Sequence, residues 1–224
     1  MLARHDFIFF NRMALSSIIN SANCVLNDAP REYIDELFEH AGTRIPGIVR
    51  RQESACGELI DIGLSSPRLV NGTRLRVGAT IPKKYVLERV TPFEAMDIAL
   101  AAGGDGRALK TLDVCARMNA LPIGLVGSRA LKAVSGLDYL SPASDYDLLI
   151  RGRLKQMEGF ARLAAQLGQH LKIALDVEAR VLIEKSGEAC DVKLVELLSN
   201  SQFVLGKTLR EVLLLERAQL YMDV

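Results

Sequence analysis

Residues 123–128 read Ile-Gly-Leu-Val-Gly-Ser, and residues 144–150 read Ser-Asp-Tyr-Asp-Leu-Leu-Ile. The apolar residues of each stretch predict a short buried strand, and the second strand carries carboxylates at Asp145 and Asp147. Because side chains alternate along a strand, both carboxylates leave the same face, with Cα atoms roughly 6.5 to 7 Å apart. Such a pair can bind two divalent cations about 3.5 to 4 Å apart, which stabilise the attacking and leaving oxygens in phosphoryl displacement. The two aspartates therefore predict a metal site.

Gly127 and Ser128 end the first strand and predict the start of a helix, with Ser128 as its N-cap. Glycine lets a phosphate approach the backbone closely, and the amides at a helix N-terminus attract anions. A Gly-Ser step by itself is an ordinary helix cap, and an isolated D-x-D is usually the solvated end of a strand. In succession, the strand, the Gly-Ser step and the D-x-D pair favour nucleotidyl transfer. Mg²⁺ is the expected ion because it prefers carboxylates and substrate phosphates.

Three further charged residues are candidates for the same site. Residues 172–183 alternate with period two, so that Asp176 lies on the polar face of a predicted strand. Asp176 is a candidate metal ligand or proton acceptor for an attacking hydroxyl, with Glu178 as the weaker alternative; a solvent-facing sheet would show the same pattern. Lys207 is a candidate for neutralising a triphosphate at a helix start, although a lone lysine is more often a surface residue. The Walker pattern GxxxxGK[ST] is absent from the sequence.

The residue pattern changes near position 90, which predicts two units in an α/β (α+β) chain. Residues 1–90 are predicted to form a small, mostly β unit, and residues 91–224 a mixed sheet flanked by helices. The predicted elements of the first unit are strands at 5–10, 47–51, 58–63 and 73–81 and a helix at 32–40. Those of the second unit are helices at 93–102, 107–120, 129–134, 154–171 and 203–222 and strands at 123–126, 145–150, 172–183 and 191–197.

Composition excludes several classes of function. The net charge of +1 gives no electrostatic footprint for a long nucleic acid. No apolar run approaches the ~18 residues of a membrane span, and the N-terminus predicts a mature cytoplasmic protein without a signal peptide. The cysteines form no CxxC pair, which predicts free, mostly buried thiols rather than a zinc cluster. They are Cys24, Cys56, Cys115 and Cys190.

The motifs resemble the nucleotidyltransferase superfamily of the DNA polymerase beta type, in which an apolar strand and Gly-Ser or Gly-Gly precede D-x-D. Sixteen residues separate Ser128 from Asp145, and this interval contains Ser-Gly-Leu-Asp-Tyr at 135–139. The long spacing and the insert are similar to the phosphoribosyl-dephospho-CoA transferase of malonate decarboxylase, its holo-acyl-carrier-protein synthase. The likeness runs through most of the chain, including Pro-Gly-Ile-Val-Arg-Arg at 46–51. The tryptophans of that family are absent, since this chain has none.

The resemblance implies that the protein is an enzyme which attaches a prosthetic group. In that family, a serine of the acyl-carrier subunit of malonate decarboxylase attacks triphosphoribosyl-dephospho-CoA, and pyrophosphate leaves. The resemblance implies Mg²⁺ as cofactor and the apo carrier and the CoA derivative as partners, with no long nucleic acid and no membrane. Its implied ligands and contacts in this chain are Asp145, Asp147 and Asp176 for the metal, Gly127, Ser128 and Lys207 for phosphates, and Arg50 and Arg51 for the dephospho-CoA or the carrier.

Two other functions stay open from the sequence. One is a nucleotidyl- or adenylyltransferase that acts on a small molecule or an RNA end, although the near-neutral charge argues against RNA. The other is a non-catalytic interaction protein on the same fold. The presence of Asp145, Asp147 and Asp176 together argues against loss of the active site.

Overall fold

The computed structural model describes residues 2–24, 31–53, 57–103 and 106–221. Its internal contacts divide the chain into two compact units. Unit 1 comprises the chain up to Thr91 together with Ser135–Tyr139, and unit 2 comprises Pro92–Val134 and the chain from Leu140 onward. The mixed α/β fold predicted from the sequence is confirmed, with a mostly β N-terminal unit.

Unit 1 is built on a six-stranded sheet with the strand order β2-β5-β4-β3-β1-β6. Its elements are β1 Phe7–Phe10, α1 Leu15–Ser21, β2 Asn23–Cys24, α2 Arg31–His40, β3 Gly47–Val49, β4 Leu59–Val70, β5 Thr73–Pro82 and β6 Val86–Val90. The ladder pairs within this sheet are antiparallel.

The β4–β5 hairpin is the longest ladder of unit 1. Val70 pairs with Thr73, so only Asn71 and Gly72 form the turn, with φ of 50° and 78°. Two successive positive φ angles define the turn type that matches the right-handed twist of paired strands, and Asn-Gly is its preferred sequence. The register shifts once, between Ser65 and Leu69, and both strands bury alternate apolar side chains. The buried side chains include Ile60, Ile62, Leu64, Leu75, Val77 and Ile81.

Tyr139 anchors the returning segment Ser135–Tyr139 in unit 1. Its side chain is fully buried, and its hydroxyl donates a hydrogen bond to the carbonyl oxygen of Ser65 at 2.7 Å. The Arg74 guanidinium lies 5.3 Å from the centre of the tyrosine ring and donates to the carbonyl oxygen of Tyr139. Burial raises the pKa of the Tyr139 hydroxyl, so the group stays protonated and acts as a donor. The chain between the Gly-Ser step and the D-x-D strand therefore passes through unit 1.

Two substitutions of Tyr139 are expected to destabilise the protein by different amounts. Tyr139→Phe removes one hydrogen bond and should lower the free energy of unfolding by about 1 kcal/mol. Tyr139→Ala also removes the buried ring and should cost about 3–5 kcal/mol. Urea denaturation of the full chain measures both, with Tyr33→Phe at a half-exposed position as the control. Equal stability of Tyr139→Ala and the wild type would contradict the anchoring role.

Unit 2 is built on a second sheet with the order β12-β11-β10-β9-β8-β7, to which β13 adds beside β9. Its elements are α3 Pro92–Ala102, α4 Gly106–Met118, β7 Ile123–Leu125, α5 Gly127–Ser135, β8 Tyr146–Arg151, α6 Leu154–Leu171, β9 Leu175–Ile183, β10 Ala189–Lys193, α7 Leu194–Leu197, β11 Phe203–Lys207, β12 Val212–Glu216 and β13 Leu220–Tyr221. β8 and β9 run parallel. The connection between them is α6, as a parallel pair requires a crossover.

Helix α6 has the bounds that the sequence predicts, 154–171. Its apolar residues recur at helical spacing, and Met157, Phe160 and Ala164 are buried. The chain then turns through Lys172, whose φ of 54° ends the helix, and enters β9. The crossover thus places the start of β9 beside the start of β8.

The predicted helix over residues 203–222 is wrong. Residues 203–216 form a hairpin in which β11 and β12 pair with Leu205 opposite Leu214. The buried Thr208 makes the turn, because its Oγ1 accepts hydrogen bonds from the backbone N–H groups of Arg210 and Glu211, both at 3.1 Å. A threonine hydroxyl that binds the following amides competes with helix formation. The predicted strand at 191–197 is likewise shorter, since β10 ends at Lys193.

The predicted free thiols are confirmed at Cys115 and Cys190, which are buried and unbonded to each other. Burial raises the pKa of the Cys190 thiol to about 12, so it stays protonated. Cys56 and the side chain of Cys24 lie outside the described residues. No described helix combines the length and the apolar character that crossing a bilayer requires.

Candidate functional site

Two of the three predicted metal-binding carboxylates, Asp147 and Asp176, lie side by side near one end of the β8–β9 pair. Asp147 is directly opposite Asp176 in the parallel ladder, and neighbouring strands are about 4.8 Å apart. Asp145 precedes β8 by one residue, and its negative charge contributes to raising the pKa of Asp147. Asp145 is exposed, whereas Asp147 and Asp176 are half-buried. The fold therefore brings together carboxylates that are 29 residues apart in sequence, from Asp147 to Asp176.

Gly127 lies against the Asp147 carboxylate. It begins α5 with a φ of +66°, and a Cβ atom at this position would be 2.0 Å from Oδ2 of Asp147. The backbone N–H of the preceding Val126 donates to the carbonyl oxygen of Asp147 at 3.0 Å, which holds the two segments together. Glycine is therefore required both by the left-handed backbone and by the space that Asp147 occupies. Ser128 follows in the first turn of α5 and is half-buried.

Arg129, which was not predicted from the sequence as a site residue, fixes the loop that precedes β8. Its Nε donates to the carbonyl oxygen of Asp145 and its Nη2 to that of Ser144, both at 3.0 Å. The guanidinium lies 3.6 Å from the centre of the Tyr146 ring, at the distance of a cation–π contact. Burial lowers the pKa of Arg129, although nearby Tyr146, Asp147 and Asp145 oppose that change. A cation directly after a Gly-Ser step is the sequence signal that would have pointed to it.

Lys193, at the end of β10, is the second residue that sequence reasoning missed. It pairs with Glu178 in the β9–β10 ladder, yet its ammonium group hydrogen-bonds Oδ2 of Asp176 and lies 3.7 Å from Oε1 of Glu178. Burial by itself would lower the pKa of Lys193. The hydrogen bond to Asp176 and the charges of Glu178, Asp176 and Asp147 outweigh burial and raise that pKa. The lysine therefore stays protonated and places a positive charge beside the carboxylates.

Lys207 lies at the end of strand β11 and not at the start of a helix, which corrects the structural setting predicted for it. Its Nζ donates to Oε1 of Glu178 at 2.7 Å. Glu178 is nearly buried and contacts both Lys207 and Lys193. Glu178 thus joins the two lysines, and phosphate binding by Lys207 stays a prediction.

Negative charge accumulates around Asp147. Its pKa is raised first by burial and then by the charges of Asp176 and Asp145, with Lys193 acting in the opposite direction. Farther along the same face of β9, beyond Glu178, Arg180 donates to both carboxylate oxygens of Asp191 at 2.7 and 3.0 Å. The negative charges of Asp145 and Asp176 at this end of the sheet are therefore only partly offset by Lys193. Carboxylate oxygens in this arrangement suit a hard divalent cation such as Mg²⁺.

Arg50 and Arg51 follow β3 in unit 1. Both are exposed and lie near the carboxylate of Glu53, at 3.5 Å from Arg50 and 3.1 Å from Arg51. Exposed ion pairs of this kind contribute little to stability. The two guanidinium groups are thus accessible to an anionic ligand.

Two family models together cover nearly the whole chain. Residues 3–92 match the phosphoribosyl-dephospho-CoA transferase MdcG N-terminal domain, and residues 95–218 match the phosphoribosyl-dephospho-CoA transferase MdcG C-terminal domain. No curated protein and no solved structure shows significant similarity to the chain.

The protein is therefore a transferase. It belongs to the phosphoribosyl-dephospho-CoA transferase family, as its motifs predicted. Members of this family transfer the phosphoribosyl-dephospho-CoA prosthetic group to the acyl-carrier subunit of malonate decarboxylase.

Proposed function

We propose that Asp145, Asp147 and Asp176 form the magnesium-binding catalytic centre of this transferase. The observation that carries the proposal is the placement of Asp147 directly opposite Asp176 on parallel strands and against Gly127. Two carboxylates from adjacent strands, beside a glycine that begins a helix, can face both a divalent ion and the phosphates of a substrate. The matches to both domains of the family indicate which reaction this centre would catalyse, the transfer of phosphoribosyl-dephospho-CoA.

The three carboxylates fit Mg²⁺ by the chemistry of their oxygens and by their excess negative charge. Asp145, Asp147 and Asp176 would hold the ion. When bound, Mg²⁺ neutralises the triphosphate and stabilises the oxygens that carry charge during phosphoryl displacement.

The backbone at Gly127 and Ser128 binds phosphate oxygens. The amides in the first turn of α5 donate to anions, and the absence of a Cβ at Gly127 leaves room for the Asp147 carboxylate beside them. Lys207 and Lys193 supply positive charge on the same face of the sheet. Together these groups hold the α-phosphate of triphosphoribosyl-dephospho-CoA close to the carboxylates.

The reaction forms one bond and breaks one. The hydroxyl oxygen of the carrier serine bonds to the α-phosphorus, and the bond from that phosphorus to the pyrophosphate oxygen breaks. We assign the serine proton to Asp176, whose side chain is 45% exposed and can therefore be reached by the serine hydroxyl. The products are the phosphodiester-linked carrier and pyrophosphate.

In this proposal, unit 1 contacts the dephospho-CoA or the carrier through Arg50 and Arg51. Exposed guanidinium groups bind phosphate in a bidentate manner, which suits the pyrophosphate bridge of the CoA derivative. The reaction takes place in the cytoplasm, in keeping with the free thiols of Cys115 and Cys190.

The test is transfer to the apo carrier subunit. The purified protein, Mg²⁺, triphosphoribosyl-dephospho-CoA and the apo carrier are mixed, and the intact mass of the carrier and the released pyrophosphate are measured. Asp145→Ala, or removal of the metal with EDTA, is expected to lower the rate about 100-fold or more, because each removes electrostatic stabilisation of the transferring phosphoryl group.

Two outcomes would contradict the proposal. Equal labelling by the wild type and Asp145→Ala would place the active site elsewhere. Reaction with ATP and a small acceptor, without reaction of the CoA derivative, would identify a nucleotidyltransferase of different specificity.

A further inference from the structure

We propose that Lys193 competes with the metal ion for Asp176. In the metal-free protein, Lys193 binds the Asp176 carboxylate. When the divalent ion binds, Lys193 leaves that carboxylate and faces the substrate phosphates. This inference rests on the proposed metal site. It gives Lys193 a role in coupling metal binding to substrate binding.

The position of Lys193 is set by the β9–β10 register. The directly opposite partner is Glu178, and Asp176 is the diagonal neighbour two residues earlier on β9. Diagonal neighbours on one face of a ladder are within reach of long side chains. The ammonium group nevertheless makes its hydrogen bond to Asp176, while the Glu178 oxygen is 3.7 Å away.

The contact between Lys207 and Glu178 explains why Lys193 hydrogen-bonds Asp176 and not Glu178. It donates to Oε1 of Glu178 at 2.7 Å from the other side, on strand β11. Because Glu178 is already paired at close range, Lys193 reaches across to Asp176. The two lysines thus divide the two carboxylates of β9 between them.

Oδ2 of Asp176, which accepts the hydrogen bond from Lys193, is one of the two oxygens with which this carboxylate would hold an ion. A divalent cation and an ammonium group in contact with one carboxylate oxygen repel each other. The lysine side chain is 31% exposed, and its flexible four-carbon stem allows it to swing away without unfolding the strand. Release is favoured when the triphosphate arrives, because the phosphates give the ammonium group another negative partner.

The consequence is a coupling between two ligands. In the free protein, Lys193 weakens metal binding, and the substrate relieves that competition. Metal and substrate therefore strengthen the binding of each other, as linked equilibria require. Without Lys193, the metal should bind tightly by itself and gain less from the substrate.

The experiment uses Mn²⁺ as the probe and follows the free ion by its electron paramagnetic resonance signal. Full-length wild type, Lys193→Met and Lys207→Met are titrated with Mn²⁺ alone and again with saturating triphosphoribosyl-dephospho-CoA. Lys207→Met is the matched control, because it removes the same charge from a side chain of similar exposure (28% against 31%) that contacts Glu178 and not Asp176. Lys193→Gln, which keeps a hydrogen-bond donor, serves if Lys193→Met does not fold.

Lys193→Met is expected to lower the Mn²⁺ Kd of the free protein about tenfold, and Lys207→Met by less than about threefold. The substrate should then lower the Kd of Lys193→Met by a smaller factor than that of the wild type. An unchanged or higher Kd for Lys193→Met would overturn the inference. An equal decrease in both variants would also overturn it, since a general charge effect would then explain the result.

The failure of the proposed metal site is distinguishable from the failure of this inference. If Asp147→Asn binds Mn²⁺ as well as the wild type does, the ion lies elsewhere and both proposals fall. If Asp147→Asn loses Mn²⁺ and Lys193→Met shows no gain in affinity, the site stands and only the role of Lys193 is wrong.

Discussion

Asp147→Asn is expected to abolish transfer to the carrier and, at the same time, to raise the unfolding temperature at neutral pH. The loss of activity follows from the proposed metal site and should reach about 100-fold or more. The gain in stability follows from the surroundings of the carboxylate. Burial and the negative charges of Asp176 and Asp145 raise the pKa of Asp147 above that of an ordinary aspartate.

The raised pKa of Asp147 determines how the free energy of unfolding changes with pH. A raised pKa means that the folded protein binds the Asp147 proton more tightly than the unfolded chain does. The stability that this proton contributes is complete below the ordinary aspartate pKa and is lost as the pH rises through the folded-state pKa. At neutral pH, the ionised Asp147 therefore weakens the fold, and asparagine removes that effect.

Thermal unfolding at pH 7 and at pH 3 measures the difference. The asparagine variant should unfold at a higher temperature than the wild type at pH 7, and the gap should close at pH 3. Asp97→Asn, an exposed site on α3, is the control and should change neither activity nor stability noticeably. A lower unfolding temperature for Asp147→Asn at pH 7 would show that the carboxylate is held by favourable contacts and not against repulsion.

Gly127→Ala is expected to produce the second large loss of activity. The new methyl carbon would lie 2.0 Å from Oδ2 of Asp147, so the carboxylate must move away from its place at the site. The rate of transfer should fall about 100-fold, since small displacements of a catalytic group have effects of this size. The φ of +66° adds a backbone cost of about 1 kcal/mol to the free energy of unfolding.

Gly187→Ala separates the two effects. Gly187 has the same φ of +66°, and a Cβ there would meet no atom within 4 Å. This variant should therefore lose a similar amount of stability in urea denaturation and keep its activity. If both alanine variants transferred at the wild-type rate, Gly127 would not be required by the site.

The part of the site that is local in sequence could be predicted. The D-x-D pair and the Gly-Ser step depend on alternation along one strand and on one strand-to-helix turn, and α6 shows clear helical spacing. Asp176 could be placed on the polar face of β9 because that strand alternates along its length. Its position directly opposite Asp147 follows from the crossover through α6, which sets the register of the parallel pair.

The contacts that depend on several strands could not be predicted. Lys193 reaches Asp176 only because β10 pairs with β9 in one register and because Lys207, from β11, holds Glu178. The helix predicted for the C-terminal region hid that hairpin, because a run of apolar residues fits either a buried helix or strands. The turn at Thr208 is stabilised by a side-chain hydroxyl, and the spacing of apolar residues cannot predict such a turn.

Because Ser135–Tyr139 belongs to unit 1, neither unit can be obtained as one continuous segment of the chain that leaves the other unit intact. The polypeptide passes between units after Thr91, after Val134 and again after Tyr139, so no single cut divides one unit from the other. A fragment that begins at Pro92 would carry Tyr139 without Ser65 and Arg74, and a fragment that ends at Thr91 would lack the ring that fills its core. Either fragment expressed by itself is therefore expected to be less stable than the same residues in the full chain.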